Sequence, residues 1–323
     1  MELNNKLKKV NNMKAVQIKQ YGGTEAIEIT SDTSTPTVQS GQVVVEVHAA
    51  SLNRIDSAIR SGYLQQMMPI NFPSTLGGDF AGVVTEVGEG VTGLSIGDEV
   101  YGQAGALLGG SGSLAEFTAA PSGKVAKKPT SVDMNQAASL PLVGASAIQG
   151  IEEHINIQSG QKILIQGGAG GIGSLAIQLA KLRGAYVATT VATDDIEFAK
   201  SLGADEVIDY KTQDFTTIIK DYDAAFVTAQ PTLEGSVKAV KKGGIVVSMV
   251  GPADEAMAKE HEVTVIPQMT QTSTEQLTRL AELVDSGKVK PQVDKVFTLD
   301  QIKEAFDFFE KNNPRGKVVV TIK

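Results

Sequence analysis

The chain has 323 residues, of which 41% are hydrophobic, and it carries a net charge of −8 at neutral pH and no cysteine. Its length accommodates two domains with a sizeable core, while the acidic balance argues against a general nucleic-acid-binding protein, which would need a basic face. The lack of cysteine excludes disulfides, thiolate nucleophiles and Cys-ligated metal centres, and no apolar run approaches the ~20 residues of a membrane-spanning helix.

The first third of the chain reads as an extension followed by a β-rich region. Residues 1–12 lack the apolar middle of a secretory signal, so we expect a disordered extension, and a cytoplasmic location follows by default. From residue 14 to about residue 120 the pattern is mostly β, with apolar or alternating runs at 43–48 and 82–88. Five glycines between residues 102 and 112 predict a mobile loop.

The rest of the chain alternates between strands and helices, after an Ala-rich helical stretch at 134–149. Strands are predicted at 162–166, 185–190, 206–208, 224–227, 244–250 and 263–266, with helices at 174–182, 194–202, 213–220 and 232–242. This alternation predicts a parallel, doubly wound sheet covered on both faces, with 263–266 as its edge strand. Two amphipathic helices, at about 274–286 and 299–311, then lead to a final strand at 316–322, which we expect to return to the first domain.

A glycine turn between the first of these strands and its helix is the strongest local signal. Gly168, Gly170 and Gly173 fill the three slots of G-x-G-x-x-G, which serve a tight turn, close approach to a pyrophosphate, and helix–strand packing. The backbone N–H groups and the positive end of the helix dipole attract phosphates there. A purely structural turn is the alternative, but the strands on both sides favour a dinucleotide site that includes Ala169, Gly171 and Ile172.

Several motifs, taken in order, resemble the zinc-independent quinone oxidoreductases of the medium-chain dehydrogenase/reductase superfamily. The matching segments are 13–16, 51–56, 59–63, 76–82, 97–100, the turn at 169–173, 201–205 and 315–319. The resemblance implies a GroES-like β-rich catalytic domain (13–133 and 266–323) and a Rossmann nucleotide-binding domain (134–265). It also implies a homodimer, which pairing of the edge strand near 263–266 would form.

Zinc chemistry is disfavoured by the available ligands. The zinc alcohol dehydrogenases of the same superfamily place Cys where this chain has Asn53 and His where it has Gly78. A catalytic zinc needs three good ligands and an open position, whereas the chain offers only the scattered histidines His48, His154 and His261. We therefore expect no zinc.

The residues around the end of the second strand bear on the choice of nicotinamide cofactor. NAD sites usually carry an acid about 20 residues after the first glycine, and this chain has the neutral Thr190 there. The following Asp194 and Asp195 either repel a 2′-phosphate or favour the N-terminus of the next helix. By resemblance, Tyr210 lies beside the adenosine end. We expect NADPH, with NADH possible.

Further cofactor contacts are implied by the resemblance alone. Ser146 matches a hydroxyl position near the nicotinamide ribose or phosphate, and Lys317 or its backbone is expected on the nicotinamide side. Val250 and Gly251 end a strand on the carboxyl edge of the sheet, where such ligands bind.

Reduction without a metal needs a donor that polarises the acceptor's carbonyl, and quinones and α,β-unsaturated carbonyls suit such a site. Asn53 is the first candidate for that donor, or for a ligand of the nicotinamide amide, with a buried turn-forming Asn as the alternative. Tyr63 offers a phenol at the cleft mouth, or is an ordinary surface aromatic, and Ala58 stands where many relatives carry an aromatic. Asp56 and Arg60, four residues apart, are expected to form a structural pair.

Two other functions remain open on the sequence. An enoyl-thioester reductase would need a cationic groove for its carrier, and no basic cluster is present. A nucleotide-binding protein with a structural or regulatory role would keep the same glycine turn without turnover.

Overall fold

The N-terminal third of the computed structural model is a β-rich unit. The structure describes residues 12–323, so the predicted extension lies outside the described residues except for Asn12, which begins the first strand. The strands are β1 (Asn12–Ile18), β2 (Ile27–Ser34), β3 (Gln42–Ser51), β4 (Ser74–Thr75), β5 (Asp79–Val87), β6 (Glu99–Gln103), β7 (Phe117–Pro121) and β8 (Val125–Lys127), and helix α1 (Arg54–Ser61) follows β3. This confirms the predicted β-rich region.

The predicted glycine loop is shorter than expected. Gly102 and Gln103 belong to β6, where a Cβ on Gly102 would lie 2.3 Å from the carbonyl oxygen of Lys124. A Cβ on Gly112 would lie 2.4 Å from the carbonyl oxygen of Thr75. The prediction of a loop from 102 onward is therefore wrong at its start, because these glycines permit close backbone packing.

The central part of the chain forms a parallel sheet with helices between its strands. The helices are α2 (Met134–Ala138), α3 (Pro141–Ile148), α4 (Gly171–Leu182), α5 (Ile196–Ser201), α6 (Phe215–Ile218), α7 (Leu233–Ala239) and α8 (Glu255–Glu260). The strands are β9 (Lys162–Gln166), β10 (Tyr186–Val191), β11 (Glu206–Asp209), β12 (Tyr222–Val227), β13 (Val240–Ser248) and β14 (Thr264–Pro267). They run parallel in the order β11-β10-β9-β12-β13-β14, which confirms the doubly wound sheet with β14 at its edge.

Two local expectations in this part are corrected. The helix predicted over 134–149 is two helices, because Pro141 cannot continue α2 and instead begins α3. The helix predicted over 232–242 ends at Ala239, and the next strand begins four residues earlier than expected.

The C-terminal part adds helix α9 (Thr274–Asp285), strand β15 (Val293–Thr298), helix α10 (Ile302–Lys311) and strand β16 (Lys317–Thr321). Strand β16 pairs antiparallel with β3, which confirms the predicted return to the N-terminal region. Strand β15, which pairs with β16, has mostly exposed side chains and hence no apolar pattern that would have predicted it.

The largest hydrophobic core lies beneath the parallel sheet, where β9 and β12 pack with α3, α4 and α9. Within residues 12–323, no helix is both long enough and apolar enough to cross a membrane.

Candidate active site

The glycine turn leaves open space at the N-terminus of helix α4. Strand β9 ends at Gln166, and helix α4 begins at Gly171 with Gly170 as its N-cap. A Cβ on Gly173 would lie 2.2 Å from the carbonyl oxygen of Gly167, so this glycine is required for helix–turn packing. A Cβ on Gly170 would meet nothing closer than 3.5 Å, so the space above it is open. The turn therefore offers free backbone N–H groups at a helix N-terminus and room for a diphosphate beside them.

Thr190 lies beneath the turn and is 3% exposed. Its hydroxyl donates to Oε1 of Gln166 at 2.5 Å and accepts from the backbone N–H of Gly167 at 3.3 Å. Its carbonyl oxygen accepts from the N–H of Gly168 at 3.1 Å. Thr190 thus supports the turn from below, and the strand continues for one more residue to Val191.

A pocket of about 310 Å³ opens beside the end of β10. It is lined by Ala192, Asp194, Asp195, Lys211, Asp294, Asn313 and Arg315. Arg315 donates through Nε to Asp195 at 2.6 Å and through Nη2 to the carbonyl oxygen of Asp194 at 2.5 Å. This pairing with Asp195 raises the pKa of Arg315, so the predicted acidic loop is matched by a cation from the C-terminal part of the chain. Tyr210 lies nearby, half exposed, with its N–H bonded to the carbonyl oxygen of Val191 at 3.1 Å.

The segment Arg315–Lys317 crosses from this pocket to the interior. The N–H of Gly316 donates to the carbonyl oxygen of Ala169 at 2.8 Å, and Gly316 forms a parallel bridge with Gly170. Gly316 has φ +77°, and a Cβ on it would lie 2.3 Å from the carbonyl oxygen of Gln292. Only glycine therefore fits where the segment rests on the turn.

Lys317 ends in a buried polar cluster, which we define as Asn53, Asp56, Asp79 and Lys317. The Lys317 ammonium donates to Oδ1 of Asn53 and, at 2.6 Å, to the carbonyl oxygen of Leu52, and it lies 3.6 Å from Oδ2 of Asp79. The Asn53 amide donates to that same carboxylate at 3.0 Å. Each of the four side chains is at most 5% exposed. Asn53 is thus held in one orientation from both sides.

Asp79 accepts three further hydrogen bonds. Ser51 donates to Oδ2 at 3.3 Å, Gln103 to Oδ1 at 3.0 Å, and the backbone N–H of Leu142 to Oδ1 at 3.1 Å. Since Leu142 lies in the first turn of α3, this carboxylate joins the N-terminal β-rich unit to the helix before the parallel sheet.

Asp56 behaves differently from Asp79. Burial raises the pKa of the Asp56 carboxyl to about 7, and the nearby Asp79 adds to this, while the Asn53 backbone N–H and Lys317 oppose it. Burial also lowers the pKa of Lys317, against the attraction of both carboxylates. The predicted Asp56–Arg60 pair is wrong, because Arg60 turns to Glu310 at 2.6 Å while Asp56 accepts from the backbone N–H of Asn53 at 2.7 Å.

The remaining predicted residues occupy different settings. Tyr63 lies in the turn after α1 and is 85% exposed. Ser146 is fully buried on α3, and its hydroxyl donates to the carbonyl oxygen of Leu142 at 2.7 Å and bonds to the Thr270 hydroxyl at 2.7 Å. Val250 and Gly251 follow β13 at the carboxyl edge of the sheet, as expected from its strand order.

Sequence reasoning assigned no role to Asp79, Arg315 or Lys211. Asp79 and Arg315 lie inside quoted motifs, at 76–82 and 315–319, but no local pattern shows that one meets Asn53 and the other Asp195. Ion pairs between distant parts of the chain leave no periodic signal in a sequence.

In the described part of the chain, the side chains around Asn53 do not form a group of metal ligands. Among residues 12–323, no three histidine or acidic side chains come together as a group that could hold one. Gly78, beside the cluster, contributes no side chain at all.

Comparison with known proteins adds family matches over most of the chain. An alcohol dehydrogenase GroES-like domain family matches residues 39–130, and a zinc-binding dehydrogenase family matches residues 202–320. A 2-methylene-furan-3-one reductase of Solanum lycopersicum is 38% identical over 317 residues, covering 95% of this chain and 79% of that protein. A chloroplastic NADPH-dependent alkenal/one oxidoreductase of Arabidopsis thaliana is 38% identical with the same coverage. The solved quinone oxidoreductase of Coxiella burnetii superposes with a TM-score of 0.88 at 34% identity, covering 97% of this chain and 100% of that one.

Proposed function

The chain belongs to the quinone oxidoreductase family of the medium-chain dehydrogenase/reductase superfamily, and from this premise we propose that it is an NADPH-dependent reductase of quinones and α,β-unsaturated carbonyls. The observation that carries the proposal is the glycine turn, with open space above Gly170 and a helix N-terminus behind it. Backbone N–H groups of residues 171–173 would hold the diphosphate, because the N–H of Gly170 already donates to the carbonyl oxygen of Gly167. The bound nicotinamide supplies the hydride.

The direct test follows NADPH oxidation by its absorbance with a panel of quinones, enones and alkenals. We expect loss of NADPH with members of the panel. Binding of NADPH without oxidation by any acceptor would favour the nucleotide-binding protein over the enzyme. Oxidation only with carrier-linked enoyl thioesters would favour the enoyl-thioester reductase.

We propose Asn53 as the donor to the acceptor's carbonyl oxygen. Its Oδ1 is occupied by Lys317 and one Nδ2–H by Asp79, which leaves one fixed N–H. A donor fixed in this way loses no energy to reorientation when charge develops, and one such donor contributes about 3 kcal/mol. Asn53→Ser keeps a helix N-cap but loses this N–H, and we expect it to lower kcat about 100-fold; an unchanged kcat would remove Asn53 from the mechanism.

We propose NADPH rather than NADH as the preferred cofactor, with the 2′-phosphate in the pocket beside β10. Arg315 and Lys211 supply cations there. Only part of the Arg315 guanidinium is used by Asp195 and Asp194, so further N–H groups remain for a phosphate. Tyr210 flanks the same strand end. Kd values for NADPH and NADH, measured side by side, test the preference.

Independence from zinc is part of the proposal. The supporting chemistry is the donor set, in which Asn53 and Gly78 replace two good ligands and no cysteine exists anywhere in the chain. Elemental analysis of the purified protein, together with activity after chelation, tests this directly: one bound zinc per chain would contradict it.

The finer architecture is proposed as well. We propose a catalytic domain of residues 13–133 and 266–323 around a nucleotide domain of 134–265, supported by the pairing of β16 with β3. We further propose a cytoplasmic homodimer that forms through the edge strand β14, whose outer side has no partner strand among the described residues. Sedimentation analysis and localisation of a tagged chain test these points.

A further inference from the structure

Reduction of an enone or quinone consumes a proton as well as a hydride, and the proposed function leaves the source of that proton open. The inference below rests on that function. It begins from Asp56, a carboxyl that is 3% exposed and lies in the first turn of α1.

The two oxygens of Asp56 have different surroundings. Oδ2 accepts from the backbone N–H of Asn53 at 2.7 Å, which fixes the carboxyl next to the candidate donor. Oδ1 has no hydrogen-bond partner within the described part of the chain. A Cβ built on the buried Gly78 would have this Oδ1, at 4.0 Å, as its only neighbour within that distance. Oδ1 therefore borders an internal space that the missing side chain of Gly78 leaves empty.

Asp56 forms no ion pair within 4 Å among residues 12–323, although Lys317 attracts its carboxylate from further away. Asp79, from β5, is matched by Lys317, from β16, and accepts four hydrogen bonds. Arg60, on the same helix as Asp56, pairs instead with Glu310 of α10. A buried carboxyl that makes no ion-pair contact favours its neutral, protonated form.

We propose that Asp56 is the proton donor of the reaction, acting from Oδ1 into the space beside Gly78. A pKa of about 7 lets this carboxyl be protonated and deprotonated near neutral pH, as a general acid requires.

The proposed step balances. Hydride addition to the β-carbon of an enone moves the C=C electron pair towards the carbonyl, which gives an enolate. The O–H bond of Asp56 then breaks, and its proton goes to the enolate. The substrate gains a hydride, which is one proton with two electrons, from the nicotinamide and a second proton from Asp56, whose carboxylate takes a replacement proton from water. For a quinone, the same proton neutralises the hydroquinone anion.

The test uses Asp56→Asn, which keeps an acceptor for the Asn53 N–H but has no acidic proton. The control is Asp214→Asn, because Asp214 also caps a helix through its carboxylate but lies at α6. We expect kcat to fall about 100-fold in Asp56→Asn with the NADPH Kd unchanged, and no change in the control. The decline of kcat above pH 7 in the wild type should disappear in Asp56→Asn.

A second measurement is independent of turnover. Carboxyl-¹³C-labelled aspartate in the cofactor-free protein should show one resonance that titrates near neutral pH and is absent from Asp56→Asn. Titration of that resonance below pH 5, or an unchanged pH profile in the variant, would overturn the proposal. If Asp56→Asn does not fold, Gly78→Ala gives the same information, because its methyl group would occupy the space beside Oδ1 and should lower kcat at least tenfold without changing NADPH binding. Wild-type kcat in Gly78→Ala would likewise overturn it. If the wild type reduces no acceptor, the proposed function fails, while the titration still decides the state of Asp56.

Discussion

The variant Gly170→Ala tests whether glycine at this position is required for cofactor binding and not for folding. In the protein alone, the new Cβ meets only the carbonyl oxygen of Gly167 at 3.5 Å, an ordinary contact, and φ −75° is open to any residue. Alanine is a poorer N-cap than glycine by about 0.5–1 kcal/mol. Alanine also lowers the conformational entropy of the unfolded chain, which stabilises the folded protein by about 0.4–1 kcal/mol. The two effects oppose each other, so the free energy of unfolding should change by less than about 0.5 kcal/mol.

The bound diphosphate, in contrast, needs the space that this methyl group fills. We expect the NADPH Kd of Gly170→Ala to rise at least tenfold, or about 1.4 kcal/mol. Calorimetric titration measures the Kd, and urea denaturation measures the stability. Gly173→Ala should lose both NADPH affinity and stability, because its Cβ would lie 2.2 Å from the carbonyl oxygen of Gly167. The backbone shift that relieves this clash costs about 1–3 kcal/mol. Gly123→Ala is the control, since its Cβ meets nothing within 4 Å. Wild-type NADPH affinity in Gly170→Ala would refute the assignment of the turn.

Three further outcomes are expected. Arg315→Gln should weaken NADPH binding about tenfold more than NADH binding, because it removes a charged donor worth about 1.5–3 kcal/mol. The control is Arg279→Gln, which should change neither Kd, because Arg279 lies on α9, pairs with Glu152 and does not line the pocket. Lys317→Met should lower the free energy of unfolding, measured in urea, by about 3–5 kcal/mol, because Asp79 loses its buried cation. A loss below about 1 kcal/mol would mean that the hydrogen bonds to Asp79 are enough to stabilise its buried charge. Because the pKa of Asp56 is raised to about 7, the wild type should lose stability relative to Asp56→Asn as the pH rises from about 4 to 7. Above about pH 7 the difference in the free energy of unfolding should stay constant. Denaturation at about pH 5, 6 and 8 measures this difference, and a pH-independent value would contradict the raised pKa.

The sequence predicted the elements whose signal is local. The parallel sheet, its order of strands and helices, and the glycine turn all follow from apolar spacing and turn residues over a few positions. Strand β15 was not predicted because its side chains are mostly exposed. The boundary between α2 and α3 was not predicted either, although Pro141 marks it.

The site was predictable only in part, for a physical reason. Asn53 and Lys317 were named, but their contact spans 264 positions and no spacing rule reaches that far. The helical spacing of Asp56 and Arg60 predicted an ion pair between them. In the structure, the Arg60 guanidinium pairs instead with Glu310, which lies on α10. Local spacing gives the pairs that a helix permits, and tertiary packing decides which of them form.

The segment Arg315–Lys317 joins the glycine turn to the buried polar cluster. The Arg315 guanidinium bonds to Asp195, and the Gly316 backbone bonds to Ala169. The Lys317 ammonium points inward and bonds to Asn53. Because neighbouring residues cannot detach far from one another, a movement of the proposed catalytic domain away from the proposed nucleotide domain would release the contacts with Asp195 and Ala169 together, while the Lys317–Asn53 bond stays within the catalytic domain. An inserted or deleted residue here would misplace all three contacts at once.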